Sequence, residues 1–277
     1  MQTLAVVGPS DSGKTTLVSD LVERLDAIGQ VATVKHLTHE PDIDTSGKDT
    51  SRHRDAGATH TVGVTDDGSW FGTGEHRTLS DVIDRLTPQY DYCLIEGYSQ
   101  STHPKVVLGG DEAADPVIER APNADQIDRT AVIDALQETD PVVTLESLVE
   151  EVTDRSGAEF AGAIATFTGR VRRRDGPDDE PTEHLEFERY DSVAADRMAQ
   201  IQADLEDRAG VHAVGLHHRT GVVEAGEDVV YVVAMAGHRE QAFTAAADGI
   251  DRVKDEVPLF KKEVTVDGSF WRHERPE

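Results

Sequence analysis

The sequence predicts two domains of different class: an α/β domain with a mostly parallel, doubly wound sheet, then an α+β domain with a mainly antiparallel sheet. Three observations predict this architecture. The chain has 277 residues, which is about twice the size of a common domain. Its first part alternates short apolar strands with amphipathic helices, whereas strands outnumber helices in the second part. The pattern of strands and helices changes near residue 150, within about ten residues, so we expect domains at 1–150 and 151–277.

The elements of the first domain alternate between strands and helices. Apolar runs predict strands at 4–7, 31–35, 92–96 and 106–108, and helical spacing of apolar residues predicts helices at 14–26 and 79–86. The segment 109–140 is acidic and rich in Ala, Asp and Pro, so it either completes this domain or forms a linker. A short helix is predicted at 145–152.

The second domain is predicted to hold more strands than helices. Strand candidates lie at 161–167, 185–190, 214–218, 229–236 and 263–266, and helix candidates lie at 192–209 and 239–256. A polar segment with Gly and Pro at 173–183 predicts a loop. This order of elements is typical of an antiparallel sheet with helices packed against it.

The acidic charge of the chain is extreme and evenly spread. The net charge is −27, from 54 acidic and 27 basic residues, and arginine is preferred to lysine. Such a surface is typical of adaptation to high salt, where ions screen the self-repulsion. The same charge argues against a nucleic acid or an anionic membrane as partner.

The single cysteine and the start of the chain indicate the compartment. Cys93 lies in an apolar run, is predicted to be a buried strand residue, and leaves no disulfide within the chain. The first residues have no basic n-region, and no apolar run approaches the ~20 residues that span a bilayer. We therefore expect a soluble, cytoplasmic protein.

Lysine is scarce, and its copies are concentrated in two places. Only seven lysines occur. One group is Lys14, Lys35 and Lys48, and the other is Lys254, Lys261 and Lys262. Because the remaining surface is nearly free of lysine, we interpret these two groups as the marks of two active sites on two domains.

The run from Gly8 to Thr15 fits the P-loop pattern, between a predicted strand and a predicted helix. Backbone N–H groups of such a loop wrap a phosphate, and the helix N-terminus adds positive potential. Lys14 is expected to reach the β- and γ-phosphates, and Thr15 to bind Mg²⁺. The residues expected to bind nucleotide are Gly8, Ser10, Asp11, Ser12, Gly13, Lys14, Thr15 and Thr16.

A P-loop site also needs an acidic residue at the end of a nearby strand. Glu96 ends the strand predicted at 92–96, where it would complete the Mg²⁺ shell or position water, the alternative being a solvated strand end. The span 35–58 is dense in polar residues: Lys35, His36, His39, Asp42, Asp44, Lys48, Asp49 and His53. Their spacing matches no standard zinc site, so we interpret the span as a loop that contacts nucleotide or a partner.

The motifs of the first domain resemble a known family. They are Val34-Lys35-His36, Ile43-Asp44, the run from Gly47 to Ala58, and Ile95-Glu96-Gly97-Tyr98. With the P-loop they resemble the molybdopterin-guanine dinucleotide biosynthesis protein B family. That resemblance implies a GTP-binding adaptor in molybdenum cofactor synthesis, with a nucleotidyltransferase as its partner. Ser99 stands where the family usually has lysine, and no Asn-Lys-x-Asp guanine signature occurs, so GTP is implied by the resemblance alone.

The lysines of the second domain lie in and just after a predicted helix. Phe243, Ala247 and Ile250 form a stripe at helical spacing, and Lys254 continues it, which predicts a lysine on a buried face whose pKa is lowered by desolvation. Such a lysine suits proton transfer or the stabilisation of an anionic intermediate. The alternative is a lysine that extends from the helix end to solvent. For Lys261 and the lysine after it, a strand would point one side chain inward and the other outward.

Other cations suggest an anion site. His238 and Arg239 open the same helix, and Arg172 follows a strand end and could join them, the alternative being a solvated basic edge. His238 and Lys254 are 16 residues apart, or about 24 Å along one helix. They cannot surround one small substrate within a single chain. We therefore favour a symmetric homodimer through this domain over two separate sites.

The second domain resembles the large, catalytic subunit of molybdopterin synthase. The matching stretches are Phe167 to Arg172, Leu185 to Tyr190, His218 to Gly221, Gly237 to Phe243, and Lys254 to Glu263. That family takes sulfur from a small ubiquitin-like carrier with a C-terminal Gly-Gly thiocarboxylate and gives it to cyclic pyranopterin monophosphate. By this resemblance Lys254 and Lys261 are catalytic, and Arg172, His238 and Arg239 bind the substrate phosphate. Phe260 departs from the family, which commonly has tryptophan there.

The sequence therefore predicts a bifunctional protein of molybdenum cofactor synthesis. The second domain would be the sulfur-transferring enzyme, and the first a nucleotide-binding adaptor, with weak GTPase activity left open. Two alternatives stay open: an unrelated P-loop kinase with a regulatory domain, and a non-catalytic scaffold whose second half only binds the small carrier.

Overall fold

A computed structural model describes residues 1–38, 48–74, 77–110, 112–174, 176–177, 179–189, 191–265 and 268–272. The chain forms two compact units, Met1–Val142 and Val143–Glu277. The boundary expected near residue 150 runs through a helix, Leu145–Thr153, that belongs to the second unit. Its buried residues Leu148 and Val152 pack with Tyr231 and Met235.

The first unit is built on a parallel sheet. Its strands are β1 (Gln2–Val7), β2 (Val31–Lys35), β3 (His60–Val64), β4 (Trp70–Gly74), β5 (Tyr92–Glu96), β6 (Lys105–Leu108) and β7 (Val117–Ala121), and its helices are α1 (Lys14–Leu25), α2 (Asp49–Asp55), α3 (Leu79–Leu86) and α4 (Arg129–Gln137). Five strands pair in parallel in the order β2-β5-β1-β6-β7. The α/β class predicted for this domain is confirmed.

Helices cover both faces of this sheet. On one face Leu17 and Leu21 of α1 and Leu136 of α4 pack on β1 and β5. On the other face Ile83 of α3 packs near Ile95. Because the central strands are buried on both sides, they read as continuous apolar runs rather than alternating ones, and this made them predictable.

The segment 109–140 completes the first unit and is not a linker. It supplies strand β7 and helix α4. The Asp128 side chain accepts hydrogen bonds from the N–H groups of Thr130 and Ala131, which begins the helix. Val132 is buried in the core beneath. The ribbon of β3 and β4 was also not predicted; it pairs separately from the main sheet.

In its described residues, the second unit combines antiparallel strands with three α-helices. Its elements are α5 (Leu145–Thr153), β8 (Ala163–Arg170), β9 (Thr182–Arg189), α6 (Asp191–Glu206), β10 (Val211–His218), β11 (Gly221–Glu224), β12 (Asp228–Ala236), α7 (Arg239–Glu256), β13 (Leu259–Thr265) and β14 (Gly268–Arg272). Two sheets have the strand orders β10-β12-β8 and β11-β9-β13-β14, and their paired strands are antiparallel. The predicted α+β class is confirmed.

Several strand limits differ from the prediction, as in β8, β9, β10 and β13. β13 begins at Leu259 and not at 263, because the run through Lys261 pairs along β9. Its predicted last residue, Val266, and the predicted last residue of the strand before α6, Tyr190, lie outside the described residues. Helices α6 and α7 pack through Leu205 and Ile250 into the main core of this unit. In the described part of the chain, no helix is both long and apolar enough to cross a membrane.

Candidate functional site

The loop between β1 and α1 has the shape of a phosphate cradle. Gly8, Asp11 and Gly13 have φ values of 152°, 62° and 91°. A Cβ added at Gly8 would lie 2.6 Å from the carbonyl oxygen of Leu108, and one at Gly13 would lie 2.8 Å from the Cβ of Ala124. These positions need glycine because the loop is wrapped tightly against its neighbours.

Loop carbonyls hold the P-loop lysine. The ammonium of Lys14 donates to the carbonyls of Gly8 and Pro9, at 2.8 Å and 2.5 Å. The hydroxyl of Ser12 also donates to Pro9, at 2.9 Å. The remaining predicted nucleotide residues, Ser10, Thr15 and Thr16, are exposed. A polyphosphate would replace the loop carbonyls as the partner of Lys14, so the residues fit the nucleotide that the motif predicts.

The structure brings Thr15 and Glu96 together. The Thr15 hydroxyl lies 3.0 Å from Oε1 and 3.2 Å from Oε2 of Glu96, whose side chain is only 12% exposed. Lys35 at the end of β2 places its ammonium 2.8 Å from the same Oε1. A hydroxyl and a carboxylate at the phosphate site are oxygen ligands of the kind that Mg²⁺ uses, with phosphate and water completing its shell. The residues therefore fit the ion.

The segment after Glu96 has an unusual backbone. Gly97 has φ 103°, and Tyr98 has φ 57°, which a bulky residue adopts rarely. The Tyr98 ring stacks on His36 with ring centres 4.5 Å apart. A Cβ at Gly97 would lie 2.7 Å from the Cβ of His36, so the Glu-Gly-Tyr motif and the strand end of β2 fit closely together.

A cavity of about 440 Å³ opens beside this cluster. It is lined by Thr15, Glu96 and Lys35 and by residues of α1 and β2, including Ser19 and Thr33. Of the polar span 35–58, the predicted residues His39, Asp42 and Asp44 and the motif residues Ile43 and Gly47 lie outside the described residues. Among the described residues, no group of three or more His, Cys, Asp or Glu side chains could hold a metal ion.

The prediction that Lys254 lies on a buried face is wrong for the single chain. Lys254 is exposed, as is Ala247, and Phe243 is 68% exposed. The buried face of α7 is formed by Ala242, Ala245, Ala246, Gly249, Ile250 and Val253. The predicted stripe therefore runs along the outer face of the helix, apart from Ile250, because mostly small residues form the buried face.

Lys261 and Lys262 point to opposite faces of β13, as the sequence predicts. Lys261 lies opposite Phe187 of β9, and Phe187 is buried in the core. Lys262 lies opposite Glu186 and binds it at 3.0 Å. Two residues beyond Lys261, on its face of the strand, the buried carboxylate of Glu263 accepts a hydrogen bond from a threonine hydroxyl of β9. Lys261 thus borders the core side of its sheet, with a buried carboxylate as its neighbour.

The substrate-binding candidates lie at two ends of one sheet. In β8 and β12, Arg170 pairs with Asp228 and Ala163 with Ala236. Arg172 lies just after the end of β8, beside the first pair. His238 and Arg239 lie just after the end of β12, beside the second pair, and all three residues are exposed. The structure therefore does not bring Arg172 to His238 within one chain.

Helix α7 reverses the chain direction and returns along the sheet. A Cβ added at Gly249 would lie 3.0 Å from Val232 in the middle of β12. The end of α7 with Lys254 consequently lies at the Arg172 end of the sheet. The His238 backbone N–H donates to Gln241 Oε1 at 3.1 Å and begins the helix, which is unbroken to Glu256. About 24 Å separates His238 from Lys254 along this helix.

One lysine escaped the sequence analysis. Lys105, at the start of β6, lies outside both lysine groups, and its side chain is fully buried. Its ammonium donates to the carbonyls of Ser101 and His103, at 2.5 Å and 2.8 Å. Burial lowers the pKa of Lys105, and the charge of Asp115 opposes that shift. A lysine directly before an apolar run, after Pro104, was the signal that could have found it.

Comparison with known proteins matches the two units to two families. Residues 3–134 match the family model of molybdopterin guanine dinucleotide synthesis protein B, and residues 138–256 match that of the MoaE protein. The chain is 46% identical over 275 residues to the probable molybdopterin synthase of Haloferax volcanii. This match covers 99% of this chain and all of that protein.

Further similarities cover one unit each. The chain is 35% identical over 129 residues to the molybdopterin synthase catalytic subunit of Bacillus subtilis, a match over 47% of this chain and 78% of that protein. It resembles the crystal structure of Bacillus subtilis MobB with a sequence identity of 26% and a TM-score of 0.39. This match covers 51% of this chain and 100% of that chain.

Proposed function

The chain belongs to the molybdopterin synthase family and is a bifunctional protein of molybdenum cofactor biosynthesis, and on that premise we propose a role for each of its two units. The second unit transfers sulfur from a thiocarboxylated ubiquitin-like carrier to cyclic pyranopterin monophosphate. The first unit binds GTP with Mg²⁺ and acts as an adaptor for a nucleotidyltransferase that attaches the guanine nucleotide.

The proposal for the second unit rests on one arrangement of cations. Arg172 and Lys254 lie at the same end of the sheet, near the start of the strand that carries Lys261. The sequence has no cysteine beyond Cys93, so sulfur has to be supplied from outside this unit. A cationic site is suited to a substrate phosphate and to the carboxylate-like tail of a sulfur carrier.

Each residue of this site has a distinct role in the proposal. Arg172 holds the substrate phosphate through charge-assisted hydrogen bonds. Lys254 and Lys261 position the thiocarboxylate, whose sulfur attacks a substrate carbon, displaces an oxygen substituent from it and joins carrier and substrate as a thioester. Water then adds to the thioester carbonyl, and the two ammonium groups stabilise the oxyanion that forms. The bond between the carrier carbonyl and sulfur breaks, so the sulfur stays on the substrate and the carrier leaves as a carboxylate, which the same ammonium groups stabilise.

His238 and Arg239 enter this site from a second copy of the chain. They lie at the far end of α7 from Lys254, so a single chain cannot bring both ends to one small substrate. A two-fold axis exchanges the two ends and completes two equal sites. The exposed side chains of Phe243 and Ala247 on α7 would be covered by such a dimer.

The proposal is tested by molybdopterin formation. Purified protein is incubated with cyclic pyranopterin monophosphate and the thiocarboxylated carrier, and the product is assayed. Lys254→Ala and Lys261→Ala are each expected to lower the rate by at least ~100-fold, as loss of an oxyanion contact does. Lys262→Ala is the matched control, since that side chain points to the other face and binds Glu186. Near-normal activity of both variants would contradict the role of the two lysines, and no product with the unmodified chain would favour the scaffold alternative.

For the first unit, the arrangement of Lys14, Thr15 and Glu96 supports a Mg²⁺-bound nucleoside triphosphate as ligand, and the family match supports guanine as its base. Lys14→Ala is expected to abolish nucleotide binding measured by calorimetry, because the lysine binds the β- and γ-phosphates. Thr15→Ala is expected to leave Mg²⁺-free binding intact and to remove the gain that Mg²⁺ gives. Equal binding of ATP and GTP would contradict the guanine nucleotide.

A further inference from the structure

We propose that Lys35 is a phosphate sensor that exchanges partners when nucleotide binds. In the nucleotide-free protein its ammonium neutralises Glu96, and in the loaded protein Mg²⁺ replaces it there and the lysine binds the terminal phosphate. Lys35 would thereby make the first unit distinguish GTP from GDP. This inference rests on the proposed binding of MgGTP by the P-loop.

The first step of the argument is that two groups share one oxygen. Oε1 of Glu96 accepts the Thr15 hydroxyl at 3.0 Å and the Lys35 ammonium at 2.8 Å. The Lys35 ammonium and the Thr15 hydroxyl therefore contact the same oxygen atom. Strand register fixes this arrangement, because Lys35 on β2 lies directly opposite Glu96 on β5.

The second step is that two cations cannot hold this oxygen together. Mg²⁺ held by Thr15 and Glu96 would compete with the Lys35 ammonium for the same carboxylate oxygen. Two cations on one oxygen repel each other strongly in a partly enclosed site. Since the Glu96 side chain is only 12% exposed, solvent gives little screening, and the ammonium has to move when the ion arrives.

The third step is where the lysine goes. Its side chain is 53% exposed and lines the cavity beside Thr15, so it is free to turn without disturbing the core. A terminal phosphate bound at the loop would offer it a new anion. Lys14 would bind the phosphates from the loop, and Lys35 from the end of β2. Both lysines are held by protein oxygens in the nucleotide-free chain, and both would exchange these for phosphate.

Neighbouring contacts keep the lysine in reach of the site. The next residue, His36, donates its N–H to the carbonyl of Glu96 at 2.9 Å, and its ring stacks on Tyr98. Tyr98 has φ 57°, a conformation that a bulky residue keeps only where its surroundings hold it. The end of β2 is consequently fixed, and only the side chain of Lys35 has to turn.

The experiment compares GTP and GDP. Affinities of both nucleotides are measured by calorimetry, with Mg²⁺, for the full chain and for Lys35→Met, Lys35→Arg and Arg85→Met. Arg85 is an exposed cation of α3 outside the site and serves as the control. Lys35→Met is expected to weaken GTP about 10- to 100-fold, as loss of a charge-assisted hydrogen bond does, and not to weaken GDP. Lys35→Arg, which keeps the charge, should retain the preference for GTP.

A second readout needs no nucleotide. Removing the competing ammonium leaves Glu96 available, so Lys35→Met is expected to bind Mg²⁺ alone more tightly than the unmodified chain does. If Lys35→Met weakens GTP and GDP alike, or changes neither, the sensor role is wrong. Failure of the unmodified chain to bind MgGTP would instead overturn the proposed function of the first unit.

Discussion

At the residue scale, this chain shows how differently two lysines can be used. Lys254 was expected on a buried face but is exposed, while the overlooked Lys105 is fully buried. Helical spacing of large residues predicted the wrong buried face, because α7 packs on the sheet mainly through Ala and Gly. A buried ammonium needs hydrogen-bond partners, and backbone carbonyls supply them for Lys105.

The neighbour of that lysine gives a pH prediction. Burial lowers the pKa of His103, and the charge of Lys105 lowers it further. Its ring nitrogen Nδ1 lies 3.0 Å from the Thr3 hydroxyl. Because the unfolded chain takes up a proton at a higher pH than the folded one, stability is expected to fall as pH drops through the ordinary histidine pKa, near 6.5.

The check uses scanning calorimetry between pH 7.5 and 5.5. The transition of the first unit is identified by its upward shift with GTP. His103→Gln, which cannot take up the proton, should lose less stability over this range than the unmodified chain. An equal loss in both proteins would show that other groups cause the pH dependence.

At the element scale, the sequence predicted most of the strands and helices that carry the sites. The P-loop, the strand end at Glu96 and helix α7 were predictable, because apolar runs and motif spacing mark them locally. The ribbon of β3 and β4 was not, since it leaves Val64 and Trp70 70% and 65% exposed and has no clear inward face. The pairing of Glu96 with Lys35 depends on strand order, which is a non-local property.

The outer face of α7 leads to a prediction about the homodimer. Phe243→Asp places a charge on the surface that we propose is covered in the homodimer. Loss of a central aromatic contact is expected to weaken dimerisation roughly 30-fold or more. Light scattering across a dilution series measures the change. Ile28→Asp is the control, because Ile28 is 56% exposed on the first unit; equal behaviour of both variants would contradict this interface.

At the scale of the whole molecule, two copies of the chain should share each sulfur-transfer site. His238→Ala and Lys254→Ala chains are expected to be inactive alone, as each lacks one component of every site. Mixed dimers would carry one complete site, with Lys254 from one chain and His238 from the other. Since about half of randomly formed dimers are mixed, an equal mixture should recover about a quarter of full activity.

Molybdopterin formation after the two proteins are unfolded and refolded together, or co-expressed, measures this recovery. Each protein treated alone is the control. Absence of recovery, with mixed dimers shown to be present by differently tagged chains, would contradict a site that two chains share.

The placement of the only thiol has a practical consequence for following the chemistry. Cys93 is completely buried in β5, and burial raises the pKa of its thiol to about 12. Alkylating reagents at neutral pH therefore find almost no target on the folded polypeptide. Any sulfur that the reagents alkylate in a reaction mixture therefore belongs to the donor or to the product. Mass spectrometry can then count the sulfur atoms transferred per turnover without a signal from the protein itself.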